Sequence, residues 1–309
     1  MTQIAEVDAG AQRALREEQA RAFRASGLLV LRNLVGAVEL AALQAETLAL
    51  VERAASRRVD DWDYQYKRHP DSGAEVPFRI EYVADKSPAA RALLGHPFVL
   101  RSVEVLQGPA FIPTWDSMVF KLAGAGAAIE WHRDADSSCC DPERPIFNVD
   151  IYLDASDETN CVWGVPGSNR WSDSEAKSAC ERLRFERAAG AVPIAMRPGD
   201  ALLHDILVVH GSPACASGLR RVLYYEFRPI DVEHRLGPHT PDYVPRKQRV
   251  LLACLRDRVA AAYARGEEAY CYRPGAPFDA APLAPGERLA SYRVPHHEHW
   301  RWDVEEAKR

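Results

Sequence analysis

The tetrapeptide Trp131-His132-Arg133-Asp134 closes a short run of strand-forming residues. Side chains two apart on a strand point to the same face, so His132 and Asp134 present an imidazole nitrogen and a carboxylate oxygen side by side. His210, which follows the apolar run 201–209, supplies a third donor 78 positions further on. Two histidines and one carboxylate on one face of a metal leave three coordination positions open. That arrangement suits a non-haem Fe(II) site that must take a cosubstrate and dioxygen together. Gly211-Ser212-Pro213 follows His210, and eleven positions after His210 stands Arg221, at the start of the next predicted strand. A guanidinium is a planar fork matched to a carboxylate, and the Ser212 hydroxyl adds a donor to the same anion. Arg220, its neighbour, reads as a rim residue paired with an acid.

These residues need a scaffold of strands. Seven short apolar stretches, 117–122, 128–132, 146–153, 161–165, 192–196, 201–209 and 221–227, are separated by Gly, Pro, Asp and Asn, the pattern of a sandwich or barrel. Ahead of them the chain reads as a helix over 11–23, a buried strand over 28–31 and a helix over 35–51. Residues 60–82 are polar and aromatic without a period and read as a long loop or irregular strands; 87–106 return to a helical pattern. A helical insert is predicted over 172–189. After Pro229 comes a Pro-, His- and Arg-rich arm with one helix-like segment at 249–265.

Composition narrows the class. The 309 residues carry 39 Lys and Arg against 44 Asp and Glu, a formal charge of −5, so no global positive field is present to hold nucleic acid. No apolar run reaches the roughly 18 residues of a membrane span, and residues 1–18 lack a basic stretch followed by an apolar one, so a cytoplasmic protein is expected. Seven scattered cysteines are read as reduced thiols. Cys139-Cys140 suits neither a zinc knuckle nor an unstrained disulfide, and Cys161, Cys180, Cys215, Cys254 and Cys271 read as buried or half-buried small side chains.

From Phe23 to Phe227 the chain resembles the phytanoyl-CoA dioxygenase family of Fe(II)/2-oxoglutarate-dependent oxygenases. The resemblance rests on the opening 23–50, on Lys121 eleven residues before His132, on the His132/Asp134 pair and on the Pro166-Gly167-Ser168 turn. It continues through Arg197-Pro198-Gly199-Asp200-Ala201 and His210-Gly211-Ser212 with Arg221. It implies that His132, Asp134 and His210 hold Fe(II), that Arg221 with Ser212 binds the distal carboxylate of 2-oxoglutarate, and that Lys121 assists. It also implies a mainly β fold with flanking helices: a double-stranded β-helix (jelly-roll, cupin-like) core at about 111–229, a helical and substrate-loop region at 1–110, and a C-terminal packing arm at 230–309, all one domain. Asn169 replaces the histidine that usually ends the family's turn, and Asn160-Cys161-Val162-Trp163 replaces a common Asn-Gly-Pro-Leu. Asp134 stands where related halogenases carry Ala or Gly, so hydroxylation is favoured over halogenation.

The expected reaction is oxidation of a C–H bond of a small molecule with O2, releasing succinate and CO2, in a monomer or homodimer; a biosynthetic substrate is preferred. Substrate-contact candidates are Arg79, Tyr82 and Trp115 before the metal strand and Arg133, Asp136, Phe147 and Trp163 around it. Surface solvation is the alternative for Arg79 and Arg133, and core packing for Phe147 and Trp163. His204 and Asp205 read as hydrogen-bonded barrel residues. His296, His297 and His299 read as an exposed polar tail, with a metal role as the alternative. Two other classes stay open: a cupin-type metal enzyme that does not use 2-oxoglutarate, and a catalytically silent ligand-binding barrel.

Overall fold

Short β-rich segments separated by turn residues pair into two sheets that face each other. The computed structural model describes residues 4–59, 61–69, 72–126, 128–187, 190–215 and 218–301. In chain order the elements are β1 (Ala5–Asp8), α1 (Glu17–Ser26), β2 (Leu28–Arg32), α2 (Ala37–Ser56), β3 (Tyr64–Arg68), β4 (Glu75–Glu81), α3 (Val83–Lys86), α4 (Pro88–Leu94), α5 (Pro97–Gln107) and β5 (Phe111–Lys121). There follow β6 (Ile129–His132), β7 (Phe147–Tyr152), β8 (Val162–Gly164), α6 (Asp173–Arg182), β9 (Val192–Ile194), β10 (Ala201–Asp205), β11 (His210–Ser212), β12 (Arg220–Pro229), α7 (Ile230–Leu236) and α8 (Tyr243–Ala260). The large sheet runs β1-β2-β10-β7-β12-β5-β4-β3 and the small one β6-β11-β8-β9. This is the jelly-roll core with flanking helices that the sequence led us to expect.

Strand alternation sorts the side chains into two layers. On β12, Leu223, Tyr225 and Phe227 join the main core beneath the helices, together with Val149 and Ile151 of β7 and Leu203 of β10. The alternate residues turn inward, where Tyr152, Leu202 and Val222 pack with Val162 and Ile194 of the small sheet. The barrel interior is therefore apolar on one side and open to a cavity on the other.

Several boundaries differ from the expectation. Of the two readings of 60–82 the irregular strands hold: β3 and β4 pair antiparallel with a register shift between Gln65 and Tyr66, and β4 extends the large sheet through its pairing with β5. The helical pattern expected over 87–106 is divided between α4 and α5, with Pro88 and Pro97 each opening a helix, and the short α3 precedes them. The apolar run 201–209 is β10 followed by a turn over 206–209 that leads to β11 on the other sheet. Asp205 Oδ1 accepts from Leu207 N at 2.9 Å and turns the chain from β10 across to β11. The insert is helical over α6, opened by a Ser172/Glu175 capping box. Residues 60, 70 and 71 of the predicted loop, 188–189 of the insert and 302–309 of the arm lie outside the described residues.

One glycine fixes how α1 meets the barrel. Gly27 closes α1 at φ 72°, and a Cβ there would lie 2.3 Å from Val208 and 2.8 Å from Asn169. The turn 166–169 packs in the same place: Ser168 Oγ accepts from Val209 N at 2.8 Å, and Asn169 Nδ2 donates to Arg24 O and Asp205 Oδ2. Asn169 thus fills its departure from the family turn with a bond to α1. The strand bearing His210 is pinned one residue before its start.

Candidate active site

Pairing of β6 with β11 sets His210 directly opposite His132. Asp134 lies just beyond β6, with its backbone N–H donating to Ile206 O at 3.0 Å. One ligand atom from each of His132, Asp134 and His210 lies within 4.8 Å of the others, with Asp134 Oδ1 at 3.4 Å from His132 Nε2 and 3.8 Å from His210 Nε2. The remaining ring nitrogens are committed to the backbone: His132 Nδ1 meets Glu130 O at 2.7 Å and His210 Nδ1 meets Val208 O at 3.0 Å. A carbonyl only accepts, so each Nδ1 carries a hydrogen and each Nε2 is the ring atom that faces the common point. Burial, with His132 adding repulsion, lowers the His210 pKa to about 3, so its imidazole stands neutral and ready to coordinate.

Asp134 is oriented from behind. His204 Nε2 lies 3.0 Å and Asn148 Nδ2 3.2 Å from Asp134 Oδ2, while His204 Nδ1 meets Asp150 Oδ2 at 2.6 Å. Burial opposes charge on His204, but Asp150 and Asp134 on either side of it raise its pKa to about 10. Burial also opposes charge on Asp134, and the His210, His132 and His204 imidazoles overcome it, holding the carboxyl well below its usual range. Asp134 is thus an ionised ligand with Oδ2 occupied and Oδ1 facing the histidines. The His204 and Asp205 readings as hydrogen-bonded barrel residues match their contacts. The Asp150–His204–Asp134 line was not read from the sequence, although Asn148, Asp150 and His204 all sit on inward positions of apolar strands.

Arg221 does not face this site. It occupies the outer parity of β12 and forks onto Asp154, with Nε at 2.9 Å from Oδ2 and Nη2 at 2.8 Å from Oδ1, while Nη1 donates to Gln44 O of α2. The inward residue is instead Arg220, which is fully buried opposite Lys121 of β5. Arg220 Nη1 donates to Asn160 O, and its Nε and Nη2 have no protein partner; Ser212 Oγ is likewise buried and unpartnered. Lys121 Nζ donates to the carbonyls of Ser212 and Pro213, and burial beside Arg220 lowers its pKa to about 7. Buried donors without acceptors cost about 1–3 kcal/mol each, so this corner is shaped for an anion.

A cavity of about 1020 Å³ opens over the three ligands. Arg79, Trp115 and Asp136 line it, together with Trp62, Phe78, Glu81, Tyr224, Glu226, Arg228, His296 and Trp300. Four expected contacts lie elsewhere. Phe147 has the outer parity of β7 and packs on Phe23 and Phe227. Tyr82 is fully buried, its hydroxyl accepting from His296 N at 3.0 Å. Trp163 packs beside Val165 and Val209, with Nε1 donating to Glu158 O. Arg133 braces the turn after β8 through Ser168 O, Trp171 O and Asp173. Of the arm histidines His297 is exposed, as expected, whereas His296 and His299 are buried, and His296 stacks on Trp115 at 3.4 Å. All seven cysteines are free, with Cys271 exposed rather than buried and the Cys139 and Cys140 sulfurs 3.6 Å apart.

A jelly roll carrying two histidines and an aspartate on one inner face, beside a buried corner of unpartnered donors, is the framework of a non-haem iron oxygenase that uses a 2-oxo acid. The chain belongs to the phytanoyl-CoA dioxygenase (PhyH) family, which it matches over residues 23–222. It is accordingly an oxidoreductase that uses Fe(II), 2-oxoglutarate and O2. The nitrogen and oxygen donors suit Fe(II), and the Arg220/Ser212 corner suits the distal carboxylate of 2-oxoglutarate.

Among solved structures the chain is similar to EvdMO1, at 28% identity and TM-score 0.58, the match covering 68% of this chain and 49% of that one. The chain thus spans about half the length of EvdMO1. It is similar to AviO1 from Streptomyces viridochromogenes Tue57, at 25% identity and TM-score 0.58, over 69% of this chain and 94% of that one. The fold is shared with EctD from S. alaskensis, solved with bound Fe, at 20% identity and TM-score 0.58, over 70% and 78% of the two chains. No curated protein sequence matches the chain. Among the described residues no helix is long and apolar enough to cross a membrane.

Proposed function

We propose that the protein hydroxylates a C–H bond of a bulky small molecule of biosynthetic origin, with Fe(II) held by His132, Asp134 and His210. In this reading Arg220, Ser212 and Lys121 receive the distal carboxylate of 2-oxoglutarate. The observation that carries it is the pairing of three convergent ligand atoms with a buried corner whose Arg220 and Ser212 donors lack protein acceptors. Once bound, the iron and the 2-oxo acid supply an oxidant strong enough to take hydrogen from a C–H bond, with succinate and CO2 released.

The chain's own contribution is placement. His204 and Asn148 hold Asp134 so that one oxygen faces the histidines. Arg220 offers two N–H groups that no protein atom competes for. The cavity walls decide which substrate carbon sits nearest the iron, and orientation of that kind accounts for much of the selectivity an enzyme attains. At about 1020 Å³ the cavity stands at the upper end of the range for ligand pockets, which supports a substrate with several rings.

The test is anaerobic addition of Fe(II) and 2-oxoglutarate to the purified protein. A visible metal-to-ligand charge-transfer band is expected, lost in His210→Ala and retained in Arg221→Ala. Iron binding without the band would favour a cupin-type enzyme that does not use 2-oxoglutarate. Absence of iron binding would favour a silent barrel.

A further inference from the structure

The end of the cavity away from Arg220 is built from β4, β5 and the C-terminal arm, and the arm lies beyond the matched residues 23–222. His296 and Trp300 therefore come from outside the matched region, whereas Glu81 and Trp115 come from inside it. Glu81 and Ser117 are cross-strand partners, and Trp115 shares the Ser117 face of β5. Trp115 carries His296 of the arm stacked on its ring at an interplanar angle of 18°.

The hydrogen positions at His296 follow from its neighbours. Tyr243 Oη lies 2.7 Å from Thr114 O, which can only accept, so the phenolic hydrogen goes there. Tyr243 Oη then serves His296 Nδ1, 3.2 Å away, as acceptor, and Nδ1 carries the hydrogen. Burial holds the His296 pKa well below its usual value, with Lys247 adding to the effect, so the ring is neutral and Nε2 is an acceptor. That atom has no protein partner, and neither has Glu81 Oε2; both residues line the cavity and are only 2% and 3% exposed.

The cations on these walls are committed. Arg79 Nε lies 2.6 Å from Glu81 Oε1, and its Nη2 donates to Ser117 Oγ. Arg228 pairs with Glu226 at 2.7 Å and with Glu233 at 3.4 Å. Arg301 donates to the carbonyls of His234 and His239, and the Lys67 ammonium lies over the Phe78 ring at 4.4 Å. The unmet demand here is for donors, and a phosphate would bring only more acceptors.

Resting on the oxygenase reading above, we propose that this end is a subsite for a neutral, hydroxyl-rich part of the substrate, a polyol or glycosyl group, whose O–H hydrogens are accepted by His296 Nε2 and Glu81 Oε2. The unpartnered Trp300 Nε1 serves a hydroxyl oxygen. Trp62, 55% exposed, offers an aromatic face to a sugar ring approaching the cavity. The subsite discriminates against acyl-CoA thioesters, whose phosphates would meet acceptors and already paired arginines.

The experiment uses the full chain loaded anaerobically with Fe(II) and 2-oxoglutarate. 4-Nitrophenyl β-D-lactoside and octanoyl-CoA serve as probes, followed by saturation-transfer NMR and by perturbation of the charge-transfer band. The lactoside is expected to bind more tightly than octanoyl-CoA. His296→Phe, which keeps a ring against Trp115 and removes the acceptor, is expected to weaken lactoside binding about tenfold, the loss of one hydrogen bond. Glu81→Gln, which exchanges an acceptor for a donor at equal volume, is expected to do the same and serves if His296→Phe fails to fold. Tighter binding of octanoyl-CoA, no lactoside binding by the unaltered protein, or unchanged binding in the variants would overturn the proposal. Lactoside binding without any charge-transfer band would keep the subsite and overturn the oxygenase reading instead.

Discussion

The two ends of the cavity meet their polar demands in different ways. At the iron end, every direction is set by strand register: His210 lies opposite His132, Arg220 opposite Lys121, and Asp134 is held through His204 by Asp150. At the arm end, direction comes from irregular chain, with His296 fixed between the Trp115 ring and the Tyr243 hydroxyl. The first end leaves Arg220 and Ser212 donors unpartnered, and the second leaves the acceptors His296 Nε2 and Glu81 Oε2 unpartnered beside the Trp300 Nε1 donor. On the proposed reading, one barrel holds a charged cosubstrate and a neutral substrate apart by the sign of the hydrogen bonding left open. Regular strands supply the geometry that chemistry requires, and the arm supplies the shape that selects a substrate.

The comparison breaks most severely at the iron. Asp134→Ala is expected to abolish succinate release and remove tight Fe(II) binding, because a single carboxylate joins both histidines at the common point. Iron titration together with succinate assay checks this; turnover like that of the unaltered protein would dismiss the triad. Next in size is the separation of two neighbouring arginines. Arg220→Ala is expected to raise the 2-oxoglutarate requirement about a hundredfold, the loss of a charge-assisted fork to a carboxylate. Arg221→Ala should leave that requirement unchanged and lower stability by about 3 kcal/mol, because it strands Asp154 behind α2. Titration of the charge-transfer band and chemical denaturation distinguish the two variants, and the reverse outcome would restore Arg221 to the anion.

That pair also shows where the sequence was legible. The order of the candidate ligands and the strand class could be read from spacing and residue type, whereas the arginine proposed for the anion was read one position too far along, at Arg221. The phase of β12 was harder, because two adjacent arginines begin it and apolar residues occur on both parities. The clue lay further along: Leu223, Tyr225 and Phe227 form the apolar row, and Tyr224, Glu226 and Arg228 the polar one. In a barrel that encloses a cavity the polar row turns inward, so Arg220 shares the site and Arg221 does not. The same parity moved Phe147 into the core. The arm carried no period to read, because His296 gains its position from Trp115 of β5 and Tyr243 of α8, and Trp300 from a bridge to His239, all remote in sequence.

A smaller effect is expected one layer behind the iron. His204→Phe keeps a ring on the inner face of β10 but takes both hydrogen bonds from the line joining Asp134 to Asp150. Outer partners of metal ligands are generally worth about 10–100-fold in metal affinity or activity. We expect weakening of Fe(II) binding in that range with the charge-transfer band still attainable at high iron. An unchanged affinity would mean that Asn148 alone orients Asp134.

The smallest effect concerns a residue that sequence reasoning placed in the substrate pocket. Arg133 lies between the two metal ligands His132 and Asp134 in sequence, yet its guanidinium points the other way and serves Ser168 O, Trp171 O and Asp173. Ser168 in turn accepts from Val209 N beside His210, so the brace reaches the iron site only through a turn. Arg133→Ala removes the hydrogen bonds to two carbonyls, at a cost of about 2 kcal/mol. It is expected to lower the melting temperature while Fe(II) affinity and 2-oxoglutarate requirement move less than about threefold, since the Ser168 hydroxyl is still held by Val165 O. A selective loss of substrate binding at unchanged stability would return Arg133 to the pocket. It would also require the chain after β6 to turn differently from the path that carries Asp134 to its place.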